Sequence, residues 1–170
     1  MLSEKLTNAI NKQLNYELFS GHVYVAMAAW CEENDLPGFA NFFIVQEQEE
    51  RFHAMKFFNF LTEMEEKPVL TGMPDPQNEY ENLIDVFETA LEHEKGVTSR
   101  IYNLMDIAQE DKEYRTISML NWFIDEQREE EDTFSSLLAI VKRVEGHGNQ
   151  IYNLDKELGA RTFTPPATEE

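Results

Sequence analysis

Residues 39–61 read FANFFIVQEQEERFHAMKFFNFL, and this stretch decides the fold. Its apolar side chains recur at spacings of three and four residues, which is the period of an amphipathic α-helix. Polar residues interrupt the apolar stripe at its centre, namely Gln46, Glu50 and His53. Residues three positions apart share one face of a helix, so Glu50 and His53 both face the predicted core. The stretch therefore predicts a buried helix with ionisable side chains in its core-facing stripe.

The same interruption occurs in three further apolar stripes. Glu17 interrupts the first stripe, Glu94 the third, and Gln127 with Glu130 the fourth. The pattern also repeats with an offset of 77 residues, which relates the following two sets: Glu17, Glu50 and His53 in the first half, and Glu94, Gln127 and Glu130 in the second. A lone Glu-x-x-His pair is weak evidence in a glutamate-rich chain. Polar positions at one level of four helices favour a shared site.

Short turns and one long connection organise the predicted helices. The helices span approximately residues 3–33, 37–65, 79–108, 111–144 and 149–158, with Ser3, Asp111 and Asn149 as predicted N-caps. Residues 67–78 contain three prolines and form the long connection. We therefore expect an all-α fold: a four-helix bundle with one long crossover between the second and third helices and a short fifth C-terminal helix. Residues 1–160 are expected to form one domain, and residues 161–170 a mobile tail.

The composition limits the possible partners. The chain has 14 Lys and Arg against 33 Asp and Glu, so its formal net charge is −19. Such acidity argues against nucleic acid as a partner and is compatible with the attraction of cations; improved solubility is the alternative interpretation. Cys31 is the only cysteine, which excludes an internal disulfide and a cysteine-rich metal site. Without an apolar signal region or a membrane-length apolar run, a cytoplasmic location is the expectation.

The charge of the predicted site indicates its ligand. Four carboxylates in a low-dielectric core cannot all remain ionised unless cations neutralise them. Two divalent ions would balance the four glutamates, which are Glu17, Glu50, Glu94 and Glu130. Oxygen ligands with one imidazole suit iron or manganese better than a structural zinc site. The residues predict a metal pair but do not by themselves select iron.

With these residues in place, the chain resembles the bacterial non-haem ferritins over about residues 3–160. The motifs that carry the resemblance are Glu17 and Tyr24, Gln48-Glu49-Glu50 with His53, Glu94, Trp122, and Glu126-Gln127-Arg128-Glu129-Glu130. The combination is specific, although no single motif is. The resemblance implies a ferritin-like fold, oxidation of Fe(II) by dioxygen or peroxide, and storage of ferric mineral in a 24-subunit shell.

The resemblance also implies a ligand set. Glu17, Glu50 and His53 would hold one iron. Glu50, Glu94 and Glu130 would hold the second, with Glu50 bridging and Gln127 as a neutral neighbour. The residues of an implied third iron site are Glu49, Glu126, Glu129 and Glu130. A solvated acidic face is the alternative for these outer carboxylates.

Several alternatives remain open at this point. Tyr24 either bonds a ligand or donates an electron, or it is a core tyrosine with a satisfied hydroxyl. No haem is expected, because Arg51 follows Glu50 where haem-binding relatives have a methionine. A packing role is expected for Trp122, and a surface position for His22, His93 and His147. A di-metal oxidase of an organic substrate and a non-catalytic metal-buffering shell are the rival functions.

Overall fold

The structure, a computed structural model, describes residues 2–165. Its helices are α1 Glu4–Glu33, α2 Pro37–Glu63, α3 Leu83–Glu110, α4 Tyr114–Val144 and α5 Gly148–Leu158. Helix α1 packs along α2, α3 along α4, and α1 also contacts α3, while α5 lies against α2 and α4. The predicted all-α bundle with one crossover and a short fifth helix is confirmed. Within residues 2–165, none of the helices combines the length and apolar character needed to cross a membrane.

The predicted start of α1 is correct, but that of α3 is not. The Ser3 hydroxyl accepts a hydrogen bond from the Leu6 backbone N–H at 3.1 Å, as an N-cap does. Helix α3 begins at Leu83 instead of about Glu79, because the side chain of Asn82 caps it by accepting from the Asp85 N–H at 3.0 Å.

Two predicted N-caps were wrong. Asp111 closes α3, since its N–H still bonds the Ile107 carbonyl at 3.0 Å. The chain then turns at Lys112, whose φ is 54°, and α4 is capped by the Glu113 side chain. Asn149 lies inside the first turn of α5, whose N-cap is His147, because the N–H groups of residues 150 and 151 bond the His147 carbonyl.

A polar layer separates two apolar clusters in the bundle. One cluster contains Tyr24, Phe43, Phe87 and Phe134 and includes residues of α5. The other is built from residues nearer the opposite end of the bundle, including Phe57. The polar interruptions of the four stripes lie between these clusters along each helix. The core thus provides a rigid frame above and below the ionisable side chains.

Helix α5 is fixed to the start of α2 through Asp155. Its Oδ1 accepts hydrogen bonds from the backbone N–H groups of Gly38 at 2.8 Å and Phe39 at 3.0 Å. These N–H groups have no partner within α2, and the α2 N-cap residue, Leu36, offers no side-chain acceptor. Gly38 is required here because a Cβ would lie 1.6 Å from the Asp155 carbonyl oxygen. Helix α5 therefore has a defined position on the bundle.

The chain after α5 continues along α2. The Asn41 Nδ2 donates to the carbonyl oxygens of Leu158 at 3.0 Å and Arg161 at 2.9 Å. The Phe163 ring lies 6.4 Å from the Phe52 ring, centroid to centroid. The mobility expected of residues 161–170 stays a prediction, and residues 166–170 lie outside the described part of the chain.

The crossover, residues 64–82, is fastened to α1 by two asparagines one helical turn apart. Asn11 donates to the Lys67 carbonyl at 3.2 Å and accepts from the Val69 N–H at 2.6 Å. Asn15 donates to the Val69 carbonyl at 2.7 Å and accepts from the Thr71 N–H at 2.8 Å. The first half of the crossover consequently follows the outer surface of α1 in a fixed register.

Candidate metal centre

The predicted site residues lie at one level of the bundle. Glu17 comes from α1, Glu50 and His53 from α2, and Glu94 from α3, and the α4 positions are Gln127 and Glu130. All six side chains are buried, with Glu130 the most exposed at 6%. The apolar stripes predicted on the four long helices are buried, except for two members, Leu91 on α3 and Leu137 on α4, which are only partly buried. Four helices thus deliver four carboxylates, one imidazole and one amide to the core.

Glu17, Glu50 and His53 form one compact group. One ligand atom of each lies within 4.8 Å of the others, and His53 Nδ1 is 3.7 Å from Glu50 Oε2. Both Glu50 oxygens, Glu17 Oε2 and His53 Nδ1 are buried without a hydrogen-bond partner. Buried polar atoms are normally paired, because each unpaired one costs about 1–3 kcal/mol. These atoms therefore fit a bound cation.

Glu94 on α3 and Glu130 on α4 accept hydrogen bonds from neutral donors. The Tyr24 hydroxyl donates to Glu94 Oε1, and Gln127 Nε2 donates to Glu94 Oε2 at 3.0 Å. Gln46 Nε2 donates to Glu130 Oε2 at 2.9 Å. In the described residues, the second compact group joins Glu130 to His53 and Glu126, not to Glu50 and Glu94.

Burial changes the protonation of this cluster. It raises the pKa of Glu94 to about 7, against the opposing effect of the hydrogen bonds from Tyr24 and Gln127. Burial, with the charges of Glu94 and Glu49, raises the pKa of Glu130 to about 8. Burial and the Glu94 charge also raise the pKa of Glu50 well above its ordinary value. Since ionised carboxylates are disfavoured here, a cation that binds them must displace protons.

The pKa of the His53 imidazole is raised even though the side chain is buried. Burial lowers the pKa of its imidazole, but the neighbouring carboxylates of Glu126 and Glu50 outweigh it and raise the pKa well above the ordinary value. His53 Nε2 lies 3.6 Å from Glu126 Oε1. The imidazole must lose its proton before either nitrogen can ligate a metal.

Tyr24 combines both of the predicted alternatives. Its ring is fully buried and stacks on Phe134 at 5.7 Å and on Phe43 at 6.0 Å between centroids. Its hydroxyl is satisfied by Glu94, one of the predicted ligands, and burial raises its pKa well above the ordinary value. Tyr24 therefore orients a candidate ligand; its role as an electron donor stays a prediction.

The outer carboxylates differ in their surroundings. Glu126 lies close to His53 and Glu130, and its side chain is 23% exposed. Glu129 is exposed. Glu49 forms an ion pair with Arg161 at 2.9 Å. Glu126 is thus adjacent to the central cluster. Glu49 is instead paired with the Arg161 side chain, a contact that the sequence did not predict.

Sequence reasoning missed Gln13 as part of the site. Gln13 Nε2 donates to Glu17 Oε1 at 2.8 Å, and its own Oε1 accepts from Arg100 Nε at 3.0 Å. Because a guanidinium only donates, Arg100 fixes which end of the Gln13 amide faces Glu17. The available signal was that Gln13 precedes Glu17 by one helical turn. Gln46 precedes Glu50 by the same interval and was seen only as part of its stripe.

We expect Gln13→Leu to lower the affinity of the central cluster for Co(II) by about tenfold or more, as removal of a ligand's hydrogen-bond partner commonly does. The leucine would leave Glu17 Oε1 without its donor and remove the link to Arg100. Arg100→Leu is the matched control, because it removes the outer link but leaves the Gln13 amide to donate to Glu17, and it should have a smaller effect. Calorimetric titration of the metal-free protein measures both. Wild-type affinity in Gln13→Leu would contradict the role given to this amide.

Two other side chains near the cluster refine the predictions. His93 was expected on the surface, and this was wrong. It is partly buried, stacks on Tyr16 with ring centroids 5.5 Å apart, and lies 2.8 Å from the Ser20 hydroxyl. Burial, followed by the Arg100 charge, lowers its pKa to about 4. Trp122 packs as predicted, and its ring lies 5.5 Å from that of His53, so its packing helps to position a candidate ligand.

Comparison with known proteins gives the class of this bundle. The family model described as ferritin-like domain matches residues 7–144. The bacterial non-heme ferritins of Staphylococcus saprophyticus and Staphylococcus haemolyticus are 44% and 45% identical to this chain, covering 96% of it and 98% of each relative.

Solved structures agree with the sequence comparison. A closed form of the Archaeoglobus fulgidus ferritin, engineered by site-directed mutagenesis, superposes with a TM-score of 0.95 at 36% identity, covering 96% of this chain and all of the other. A humanized archaeal ferritin gives a TM-score of 0.95 at 37% identity, covering 97% of this chain and all of the other. The fold is that of the ferritin-like four-helix bundles. The chain belongs to the ferritin family, and its resemblance to the bacterial non-haem ferritins is confirmed.

Proposed function

We propose that this ferritin oxidises Fe(II) at its central carboxylate–imidazole cluster and stores the ferric product inside a shell of identical subunits. One observation carries the proposal: both Glu50 oxygens and His53 Nδ1 are buried without hydrogen-bond partners, beside an unpaired oxygen of Glu17. Burying so many polar atoms without partners costs free energy, and a bound cation would offset that cost. Membership of the ferritin family favours iron as that cation.

In this proposal, two Fe(II) ions bind each subunit as substrates. Glu17, Glu50 and His53 hold the first, while Glu50, Glu94 and Glu130 hold the second. Glu50 bridges the two ions, which suits a carboxylate with two free oxygens. The Gln127 amide, which already donates to Glu94, fixes the orientation of that ligand. Dioxygen or peroxide is the proposed oxidant.

The two halves of the cluster are expected to bind iron unequally. The first-half ligands have unpaired atoms ready to bind, whereas Glu94 and Glu130 are engaged by Tyr24, Gln127 and Gln46. Their raised pKa values add a proton that must leave before an ion binds. We therefore propose one firmly held ion and one loosely held ion, as an enzyme that must release its product requires.

Glu126 supports a transit role for the outer carboxylates. With Glu49, Glu129 and Glu130 it would form a third iron position on the way from the oxidation site to the storage cavity. The proximity of Glu126 to both His53 and Glu130 favours this over a solvated acidic face, and Glu129 is the exposed member of the set.

The proposed storage role requires a hollow assembly. Family resemblance favours 24 subunits. The chain also exposes large apolar side chains, for example Val69 at 45%, Leu70 at 64% and Met73 at 45% on the crossover. Exposed apolar groups of this size are typical of surfaces that bury against another subunit. A cytoplasmic location stays a prediction.

The test is anaerobic addition of Fe(II) to the metal-free assembly, followed by rapid mixing with oxygen. We expect two Fe(II) per subunit to be oxidised in a fast phase, seen by ferric absorbance, before slower mineral growth. Binding without fast oxidation would indicate a metal-buffering shell instead. Size-exclusion chromatography measures the assembly, and a small oligomer would refute the storage role while leaving oxidation to be judged by the kinetics.

A further inference from the structure

Arg161, three residues beyond the end of α5, forms an ion pair with the outer carboxylate of Glu49. Its Nη2 donates to Glu49 Oε2 at 2.9 Å. Its guanidinium carbon is 4.5 Å from the Phe42 ring centroid, and its Nη1 donates to the Phe42 carbonyl at 3.5 Å. A guanidinium stacks on an aromatic ring and bonds a carboxylate simultaneously, which lysine cannot do in the same geometry.

The backbone places this guanidinium on α2. Asn41 holds the Arg161 carbonyl at 2.9 Å, and Asp155 fixes the preceding helix to the start of α2. The Arg161 side chain is 27% exposed and that of Glu49 is 23% exposed. The pair is therefore fixed by its surroundings, yet water can reach it, so its ion-pair energy is small enough for a metal ion to overcome.

Glu49 borders the central cluster. Burial raises its pKa, whereas the charge of Arg161, and after it that of His53, lowers it, and Glu126 is also close enough to act on it. The Glu49 charge also acts on Glu130, which accepts a hydrogen bond from Gln46, and the buried Gln46 Oε1 has no hydrogen-bond partner. Arg161 thus places a positive charge on a carboxylate that acts electrostatically on the central cluster.

We propose that Arg161 competes with the third metal ion for Glu49, an inference that rests on the proposed function. The guanidinium holds Glu49 Oε2, and a divalent ion that binds Glu49, Glu126 and Glu130 must displace it. The oxygen engaged by Arg161 is unavailable as a ligand until that displacement occurs. The third ion is consequently bound weakly and passes on, and Arg161 determines how long it stays. Arg161 is a positioning residue that acts through Glu49.

The test is anaerobic calorimetric titration of the assembled, metal-free protein with Co(II), which is not oxidised by the site. We expect two Co(II) ions per subunit at the central cluster, the first held more tightly than the second, and a third, weak ion. Arg161→Gln should raise the association constant of the weak ion by about threefold to tenfold, the range of a partly exposed, charge-assisted pair. Arg161→Lys keeps the positive charge but loses the planar guanidinium. Its association constant for the weak ion should therefore lie between those of the wild type and Arg161→Gln. The affinities of the two central-cluster sites should be unchanged.

Glu49 supplies the decisive control. In the Arg161→Gln/Glu49→Gln double variant, the gain from Arg161→Gln should disappear, because the competition acts through that carboxylate. A gain that persists without Glu49 overturns the proposal, as does equal weak-site affinity in the wild type and Arg161→Gln. The two ions of the central cluster report on the proposed function and the third, weak ion reports on Arg161, so the two failures are distinguishable.

Discussion

Replacing Glu50 or His53 with alanine is expected to slow the fast phase of Fe(II) oxidation by about a hundredfold or more. Loss of a partner that only orients a ligand commonly costs 10- to 100-fold, and loss of the ligand itself should cost at least that much. Glu50 is the most sensitive position, because both of its oxygens are buried, unpaired and placed between two helix pairs. Stopped-flow absorbance of ferric product measures the rate.

Two controls separate chemistry from folding in this experiment. Glu129→Ala removes an exposed carboxylate and should leave the fast rate within about twofold, since surface substitutions rarely perturb a protein. Glu50→Gln keeps the shape of the side chain and should still abolish the fast phase in a normally assembled shell. Similar rates in Glu50→Ala, His53→Ala and Glu129→Ala would show that the oxidation site lies elsewhere.

The stability of the metal-free protein is expected to fall as the pH rises, and a bound divalent ion should restore it. Glu94 and Glu130 have folded-state pKa values of about 7 and about 8, above the ordinary 4.5. A raised carboxyl pKa stabilises the fold fully below the unfolded value and loses that contribution as the pH rises through the folded value. For Glu94 alone the loss is on the order of 3 kcal/mol. Protonated His53 contributes in the same direction.

Thermal unfolding from about pH 5 to about pH 8.5 measures this effect. We expect the midpoint to fall over that range without metal, and Co(II) to recover about 4 kcal/mol at a thousandfold excess over its dissociation constant. General repulsion in an acidic chain also grows with pH, so the control is Glu94→Gln/Glu130→Gln. Its amides cannot ionise, and its pH dependence should be flatter. An equally steep fall in that variant would assign the effect to surface charge.

The helical periodicity was sufficient to predict the bundle. The spacing that places Glu50 beside Phe57 on one stripe also buries both, and the proline-rich segment could only be a crossover. Helix ends were less predictable because they depend on single backbone torsions. Lys112 adopts a φ of 54°, and this moves the α4 cap from Asp111 to Glu113. Asp is among the preferred N-cap residues and Glu is not, so the sequence alone favoured Asp111.

The candidate ligands were predictable because each breaks an apolar stripe, whereas their partners were not. Gln13 and Arg161 lie at positions where polar residues are ordinary, and only the packing of distant segments brings them to Glu17 and Glu49. His93 was misjudged for the converse reason: it is off the main stripe, but Tyr16 and Ser20 cover it. Contacts between segments far apart in sequence leave no periodic signal.

The asparagine attachment of the crossover has a consequence for chain entropy. Between the end of α2 and the start of α3 the chain has residues 64–82, yet Asn11 and Asn15 fix it as far as Thr71. Only residues 72–82 remain to be closed as a loop when the second hairpin docks, which reduces the closure cost by about 0.5 kcal/mol. The same register makes residues 67–71 intolerant of insertions, because one added residue would misalign the paired backbone groups. Extra sequence is best accommodated beyond Gly72, where a Cβ would meet no atom within 4 Å.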